Sequence, residues 1–397
     1  MGTQNPSTAE GSQASRSALS PEAGWIVVHS SDEMYGADRV ALQVIDTLGH
    51  RRVRELWVPT DLDYGPRPLT LAARASGITV RAHDIPIARR QYLNLQGGVR
   101  LLRRYRRCVP LIRSVRRNAH FVYITTSAAL PLAPAFRAAG LRSVCHVQEI
   151  WSPADRRALR WFLPSLDSVI SISNAVAASL PCRSTVVHNG VADLPVDLQL
   201  ASQLRPRDAQ GPRLLMASRW NVWKGHAMLL QAWRQASLPP GAALVITGGP
   251  PPSGMTVDVP RMVRDFGLEA SVTVIPQVRD ITDLILNSDA VVMPSARPEP
   301  FGLVALEAAR AGRPTLGSTG GGLEEVVENG RTGWLTPSDD VAAWSKLLGS
   351  LSVAELATRG AEARAVYQDR FTLDAFRARL EGVLKQIHLP STKASDD

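Results

Sequence analysis

Cysteine is nearly absent: the 397 residues hold three, Cys108, Cys145 and Cys182. An odd number without CxxC spacing argues against a disulfide framework and against a zinc site, and it fits a reducing cytoplasm. Long apolar runs are missing too. None approaches the roughly 18 residues that a membrane-crossing helix needs. Residues 1–23 are polar and lack the apolar core of a signal peptide, so they read as a disordered leader, and 389–397 read as a frayed tail. Acids are the scarcer charge, 36 against 45 Lys and Arg, which leaves a formal +9. That balance points to an anionic partner, whether a nucleotide, a phospholipid or a nucleic acid.

What is present is ordinary for a soluble globular chain: 45% hydrophobic and 20% charged residues, at a length that exceeds one growing core. From Trp25 to about Leu194, β-rich runs alternate with helical stretches. Runs 25–30, 54–59, 121–126, 142–148 and 168–173 are strand candidates, and 37–49 has helical spacing at Val40, Val44, Ile45 and Leu48. The Pro-, Asp- and Gln-rich stretch 195–212 reads as a linker. A second alternating unit occupies 213–371, with strand candidates 213–218, 242–249, 271–276, 290–295 and 313–319. The segment 372–388 is a helix with one apolar face: Leu373, Phe376, Leu380, Leu384 and Ile387. Strands alternating with helices imply parallel sheets covered on both faces, so the expected fold is α/β with two Rossmann-like domains around a cleft.

The segment RPEPFGLVALEAARAG (297–312) follows a strand candidate and opens a helix near Phe301 or Gly302. Pro300 suits the first turn, and the free amides of Phe301, Gly302 and Leu303 would form a diphosphate site at the positive helix end. Glu299 precedes those amides, and Glu307 lies one and a half turns along. Read from spacing alone, they could equally be a first-turn dipole partner and a solvated helix residue.

Glu299 and Glu307, eight positions apart around Pro-Phe-Gly, resemble the E-x7-E motif of the family-four retaining glycosyltransferases with the GT-B fold. STGGGLEEVVENGRTGWLTPSDD (318–340), SRWNVWKGH (218–226) and VVHNGV (186–191) resemble further segments of that family, in the same order. The likeness runs from about Trp25 to Ile387. It implies a nucleoside diphosphate sugar donor, a glycan, lipid-linked or small-molecule acceptor, no cofactor and no bound metal. By the same resemblance Arg219 and Lys224 hold the donor diphosphate, while Glu299 takes sugar hydroxyls and Glu307 ribose hydroxyls. Gly248 and Gly249 let backbone approach the ligand, and Val278 meets the base. Gly36, in a loop where the family has a further glycine and this chain has Tyr35, lies by the phosphates. His146, in VCHVQEIW (144–151), matches the active-site histidine. The final helix is expected to cross back to the N-terminal acceptor domain.

Two features lie outside that pattern. Asp61-Leu62-Asp63 spells D-x-D, a metal-binding signature of another glycosyltransferase fold, but before Tyr-Gly-Pro it reads as a turn with carboxylates facing water. The segment 97–118 carries Arg100, Arg103, Arg104, Arg106, Arg107, Arg113, Arg116 and Arg117 and no acid. Leu102, Tyr105, Val109 and Ile112 share one helical face there, and Pro110 is expected to split the helix. The arginines read as a solvated face or as a docking patch for anionic membranes; no nucleic-acid module accompanies them. The expected reaction is hexosyl transfer to an acceptor hydroxyl with retained configuration, in the synthesis of a cell-surface polysaccharide, a glycolipid or a glycoside. The expected location is the cytoplasm or the inner face of the cell membrane. The alternatives are a nucleotide-sugar epimerase of the same fold and a non-catalytic protein that binds anionic surfaces.

Overall fold

The computed structural model describes residues 24–89, 92, 95–194, 211–251 and 255–388. The expected linker falls largely outside them, as do the leader and the tail. The N-terminal lobe is built on β1 (Trp25–Val28), β2 (Val53–Pro59), β3 (Val80–His83), β4 (Phe121–Ile124), β5 (Arg142–Val147), β6 (Ser168–Ser171) and β7 (Thr185–Val186). The C-terminal lobe is built on β8 (Arg213–Ala217), β9 (Ala243–Gly248), β10 (Val272–Pro276), β11 (Ala290–Met293), β12 (Thr315–Ser318) and β13 (Gly333–Thr336). All pairings in both sheets are parallel. The strand orders are β3-β2-β1-β4-β5-β6-β7 and β10-β9-β8-β11-β12-β13, so one winding occurs twice.

The apolar runs explain the central strands. WIVV in β1, FVYI in β4 and AVVM in β11 are buried at every position, as helices on both faces of a parallel sheet require. Each expected strand forms, ending up to two residues early, where the chain turns into the cleft. Strands β3, β7 and β13 were not foreseen. They lie at or next to sheet edges, where VRAH, TV and GWLT bury less and show no continuous apolar run.

The last helix, Leu373–His388, packs on the N-terminal lobe. Its Phe376, Leu380, Val383, Leu384 and Ile387 join the core of Trp25, Val40, Val44 and Tyr123. Five such side chains, at about 2 kcal/mol each, give a gross stabilisation on the order of 10 kcal/mol that ties the chain's end to its beginning. The helix Leu95–Val115 is continuous, contrary to the expected split at Pro110. Proline removes one hydrogen bond, but Cys108 and Ile112 are buried against the sheet on either side of it and hold the two halves in line. Of the expected apolar face, Tyr105, Val109 and Ile112 pack on the core, joined by Cys108 and Val115, while Leu102 is half exposed.

Candidate active site

The carboxyl ends of β1, β5, β8 and β11 open into the cleft between the lobes, the place where parallel α/β sheets offer free loops and helix N-termini. A cavity of about 440 Å³ lies there. Its C-terminal wall is formed by Ser218, Arg219, Lys224, Ser295 and the run Glu299–Val304. A smaller chamber of about 100 Å³ adjoins it, lined by Arg39, Thr247, Gly248, Val278, Ile281 and Glu307. Tyr35, Gly36, Ser218, Leu303 and Val304 line both, so a ligand spanning the two passes the start of the helix Leu303–Arg310.

That helix begins later than expected. Gly302 caps it in the left-handed region (φ 97°), and the first helical residue is Leu303. The amides of Leu303, Val304 and Ala305 are therefore the ones without intrahelical carbonyls. Phe301 turns its ring inward, stacked on His188 at 5.7 Å, and serves as a plug under the site. Glu299 is buried; its Oε1 accepts from Lys224 Nζ at 2.6 Å and from the Ser295 hydroxyl. Lys224 is brought there by Gly225, whose φ of 79° and missing side chain let its backbone press on Pro294; a Cβ would lie 1.8 Å from the Pro294 oxygen. The glycine loop downstream holds the backbone of the same residue, since Gly322 N donates to the Glu299 carbonyl at 2.7 Å.

The N-terminal lobe answers with opposite charge. Glu33 pairs with Arg219, whose guanidinium also lies 3.9 Å above the Tyr35 ring. Burial pushes the Glu33 carboxyl above its usual range, against the pull of Arg219. Tyr35, in the position where a glycine was looked for, donates its hydroxyl to Gln277 Oε1 at 2.8 Å and so bridges the lobes. Arg39 reaches across to Glu307. Glu307 is thus neither solvated nor free: it is buried, and desolvation raises its pKa although Arg39 and Arg310 oppose the shift. Asp38 organises the loop behind these contacts, accepting from His29 at 3.1 Å, from the Ser31 hydroxyl at 2.8 Å and from the amides of Glu33 and Tyr35. Burial alone would raise its pKa, but the His29 and Ser31 hydrogen bonds bring it below the usual range.

Arg219, Lys224, Glu299, Pro300, Phe301, Gly302, Leu303 and Gly36 meet at the large cavity, and Gly248, Val278 and Glu307 at the small one. His146 is not brought to either. It is fully buried in β5 with Nδ1 3.0 Å from the Tyr123 hydroxyl, and burial pushes its pKa down to about 3. Gln148, two residues on and past the strand end, lines the cavity instead. Gly248 allows a close approach of chain to chain: a Cβ there would meet the Ser218 carbonyl at 1.9 Å, while Gly249 has only the Gln277 side chain near it. Asp61 does not face water. Its carboxylate is buried and accepts from Arg89 Nε at 2.6 Å and Nη2 at 2.9 Å, while Asp63 accepts from the amide of Gly65. Among the basic residues of 97–118, Arg104 turns inward to Asp84 at 2.8 Å, and Arg107 lies 3.3 Å from the same carboxylate. Arg100, Arg103, Arg106, Arg113, Arg116 and Arg117 are exposed.

Residues 202–361 match the family described as glycosyl transferases group 1. That stretch belongs to this family. The chain is similar to the D-inositol 3-phosphate glycosyltransferases of Mycobacterium tuberculosis and Mycobacterium bovis, with 31% identity over 313 residues, 73% of this chain. It spans about 60% of the length of those relatives. The fold is that of GT-B structures. Anabaena HepE, solved with UDP and glucose, superposes with a TM-score of 0.73 at 23% identity, covering 91% of this chain and 99% of that one. Sucrose-phosphate synthase of Thermosynechococcus elongatus superposes at 0.71 and 19% identity, covering 92% and 99%.

Proposed function

We propose that this protein transfers a hexosyl group from a nucleoside diphosphate sugar to an acceptor hydroxyl, with retained anomeric configuration and without a metal ion. The observation that carries this reading is the convergence of Arg219, Lys224 and the free amides of the helix Leu303–Arg310 on one cavity wall, beside Glu299. Such a wall matches a diphosphate: two protein cations and a helix N-terminus neutralise the charge that grows as the glycosidic bond breaks. Glu299, whose position is set by Lys224 and Ser295, would accept hydrogen bonds from the donor sugar. Glu307 lies four residues past Leu303, about 6 Å along the helix, in the chamber shared with Val278. Ribose and base would occupy that chamber, with the ribose hydroxyls taking the carboxylate from Arg39.

In the proposed step the acceptor oxygen bonds to the anomeric carbon on the face from which the diphosphate departs. The acceptor's proton passes to the departing phosphate oxygen, so no separate base is needed. Glu33 must release Arg219 before the donor can bind. The test is product analysis by NMR in excess chelator. An α-linked product from an α-linked donor at undiminished rate is expected; inversion, or loss of activity rescued by manganese, would overturn the reading.

We also propose that the enzyme works at an anionic membrane surface. The helix Leu95–Val115 exposes Val99 and Leu102 between Arg100, Arg103 and Arg106, an arrangement suited to shallow electrostatic docking. Flotation with acidic liposomes should recover the protein at low salt and lose it as the Debye length falls to about 3 Å at 1 M. Equal recovery on zwitterionic liposomes would exclude this mode.

A further inference from the structure

The N-terminal wall of the large cavity holds polar side chains that the proposed donor does not use. Thr126, Gln148 and Asn189 all line it, and each is more than nine-tenths buried. The Thr126 hydroxyl, the Gln148 Nε2 group and both ends of the Asn189 amide have no hydrogen-bond partner within the protein. Buried polar groups are rarely left so, because losing water without gaining a partner costs free energy. Four such atoms on one wall mark a surface shaped for a ligand with several hydrogen-bonding groups of its own. Glu149 lies beside them. Its Oε2 accepts from Ser127 N, from the Ser127 hydroxyl at 2.7 Å and from Gln148 N, which leaves Oε1 for the cavity.

The charge on this wall is as informative as its hydrogen-bonding capacity. Among the described residues, Arg89 is the one basic side chain from the N-terminal lobe that lines the cavity. Its Nε and Nη2 are already committed to both oxygens of Asp61, to the Ser30 carbonyl at 2.9 Å and to the Tyr64 hydroxyl, so its charge is matched by a buried carboxylate. Arg219 and Lys224 are assigned to the diphosphate. Once the donor has taken Arg219, the Glu33 carboxylate is left on the acceptor side without its ion-pair partner. A phosphate ester placed here would face Glu33 and Glu149, and the one nearby cation of this lobe among the described residues, Arg89, is already paired with Asp61.

We propose that the acceptor is a polyhydroxylated molecule without a phosphate next to the reacting hydroxyl, held by Thr126, Gln148, Glu149 and Asn189. This rests on the glycosyltransferase reading above, and it departs from the chemistry in the names of the relatives, whose acceptor carries a phosphate. Hydroxyls of a sugar or cyclitol would donate to Glu149 Oε1 and to the Asn189 oxygen, and would accept from the two amide NH2 groups. Thr126 can do either.

The experiment compares matched acceptors on donor-saturated enzyme: myo-inositol against inositol 1-phosphate, and glucose against glucose 6-phosphate. The donor is first fixed by thermal shift with UDP, GDP and ADP sugars. In each pair the free polyol should have at least a tenfold higher kcat/KM. Gln148→Ala and Asn189→Ala should raise its KM at least fivefold, while the Kd of the nucleotide diphosphate moves less than twofold. Preference for the phosphorylated member, equal use of both, or use of neither would overturn the proposal. So would variants that leave the acceptor KM unchanged. If no nucleotide sugar binds or is hydrolysed, the reading beneath it fails and the proposal fails with it.

Discussion

The two lobes share one strand order and differ in what they hang on it. After the first strand of the C-terminal sheet comes a loop with two cations, Arg219 and Lys224; after the first strand of the N-terminal sheet comes one with Asp32 and Glu33, which runs into a helix bearing Asp38. Across the cleft the two loops face each other, and Glu33 pairs with Arg219. Farther along, the signs reverse: Arg39 of the N-terminal lobe pairs with Glu307 of the C-terminal lobe. A winding that occurs twice thus makes a charge-matched interface, and each pair ties down a side chain that the proposed donor would need. The same scaffold serves opposite purposes because the loops at the strand ends bear little load in the core and are free to differ.

The strongest way to break this comparison is to remove a cation from the C-terminal loop. Lys224→Ala should lower kcat by about a hundred- to a thousandfold, the cost of one charge-stabilising contact at a leaving group. The fold should persist, because Glu299 retains the Ser295 hydroxyl. Steady-state kinetics beside a melting curve would separate the two effects; normal turnover would remove Lys224 from the mechanism.

The second pair is probed through pH. The pKa of Glu307 is raised above 4.5 in the folded protein by burial. Its contribution to stability is therefore fully present below 4.5 and is lost as pH rises through the raised native value. Glu307→Gln cannot ionise and should gain Tm relative to the parent on going from pH 4.5 to neutral pH. Parallel Tm curves for the two proteins would mean that Arg39 compensates the buried charge in full.

The smallest effect is expected at Glu33. Its pair with Arg219 is partly exposed, at 31% of the arginine side chain, and such contacts contribute about 1 kcal/mol at most. Glu33→Gln should thus tighten binding of the nucleoside diphosphate by up to about fivefold, measured by calorimetry. Weaker binding would mean that Glu33 helps to hold the donor and does not compete with it.

The candidate site is unevenly legible in the sequence, for a physical reason. In the C-terminal lobe the runs 218–226 and 297–307 each carry strand end, loop and helix start within a few residues. Local spacing therefore brings Lys224, Glu299 and Glu307 to the cleft. The N-terminal wall draws Glu33, Tyr64, Arg89, Thr126, Gln148 and Asn189 from six separate loops, and no periodicity links them. His146 illustrates the difficulty. The family resemblance recommended it, but it is still inside the strand, packed on Tyr123, whereas Gln148 lies past the strand end where the chain meets the cavity.

By itself, the chain's alternation of apolar strands and helical faces determined two parallel sheets, and the apolar stripe of 373–387 determined that a last helix had to find a core to cover. Pro110 could not be weighed that way, since whether proline breaks a helix depends on how much packing holds its two sides. The partners of the charged residues were likewise decided only by the tertiary structure. Glu33 and Arg219 stand 186 positions apart, and Arg39 and Glu307 stand 268 apart. An ion pair depends on distance and on the water excluded around it, and both are set when the lobes close on each other.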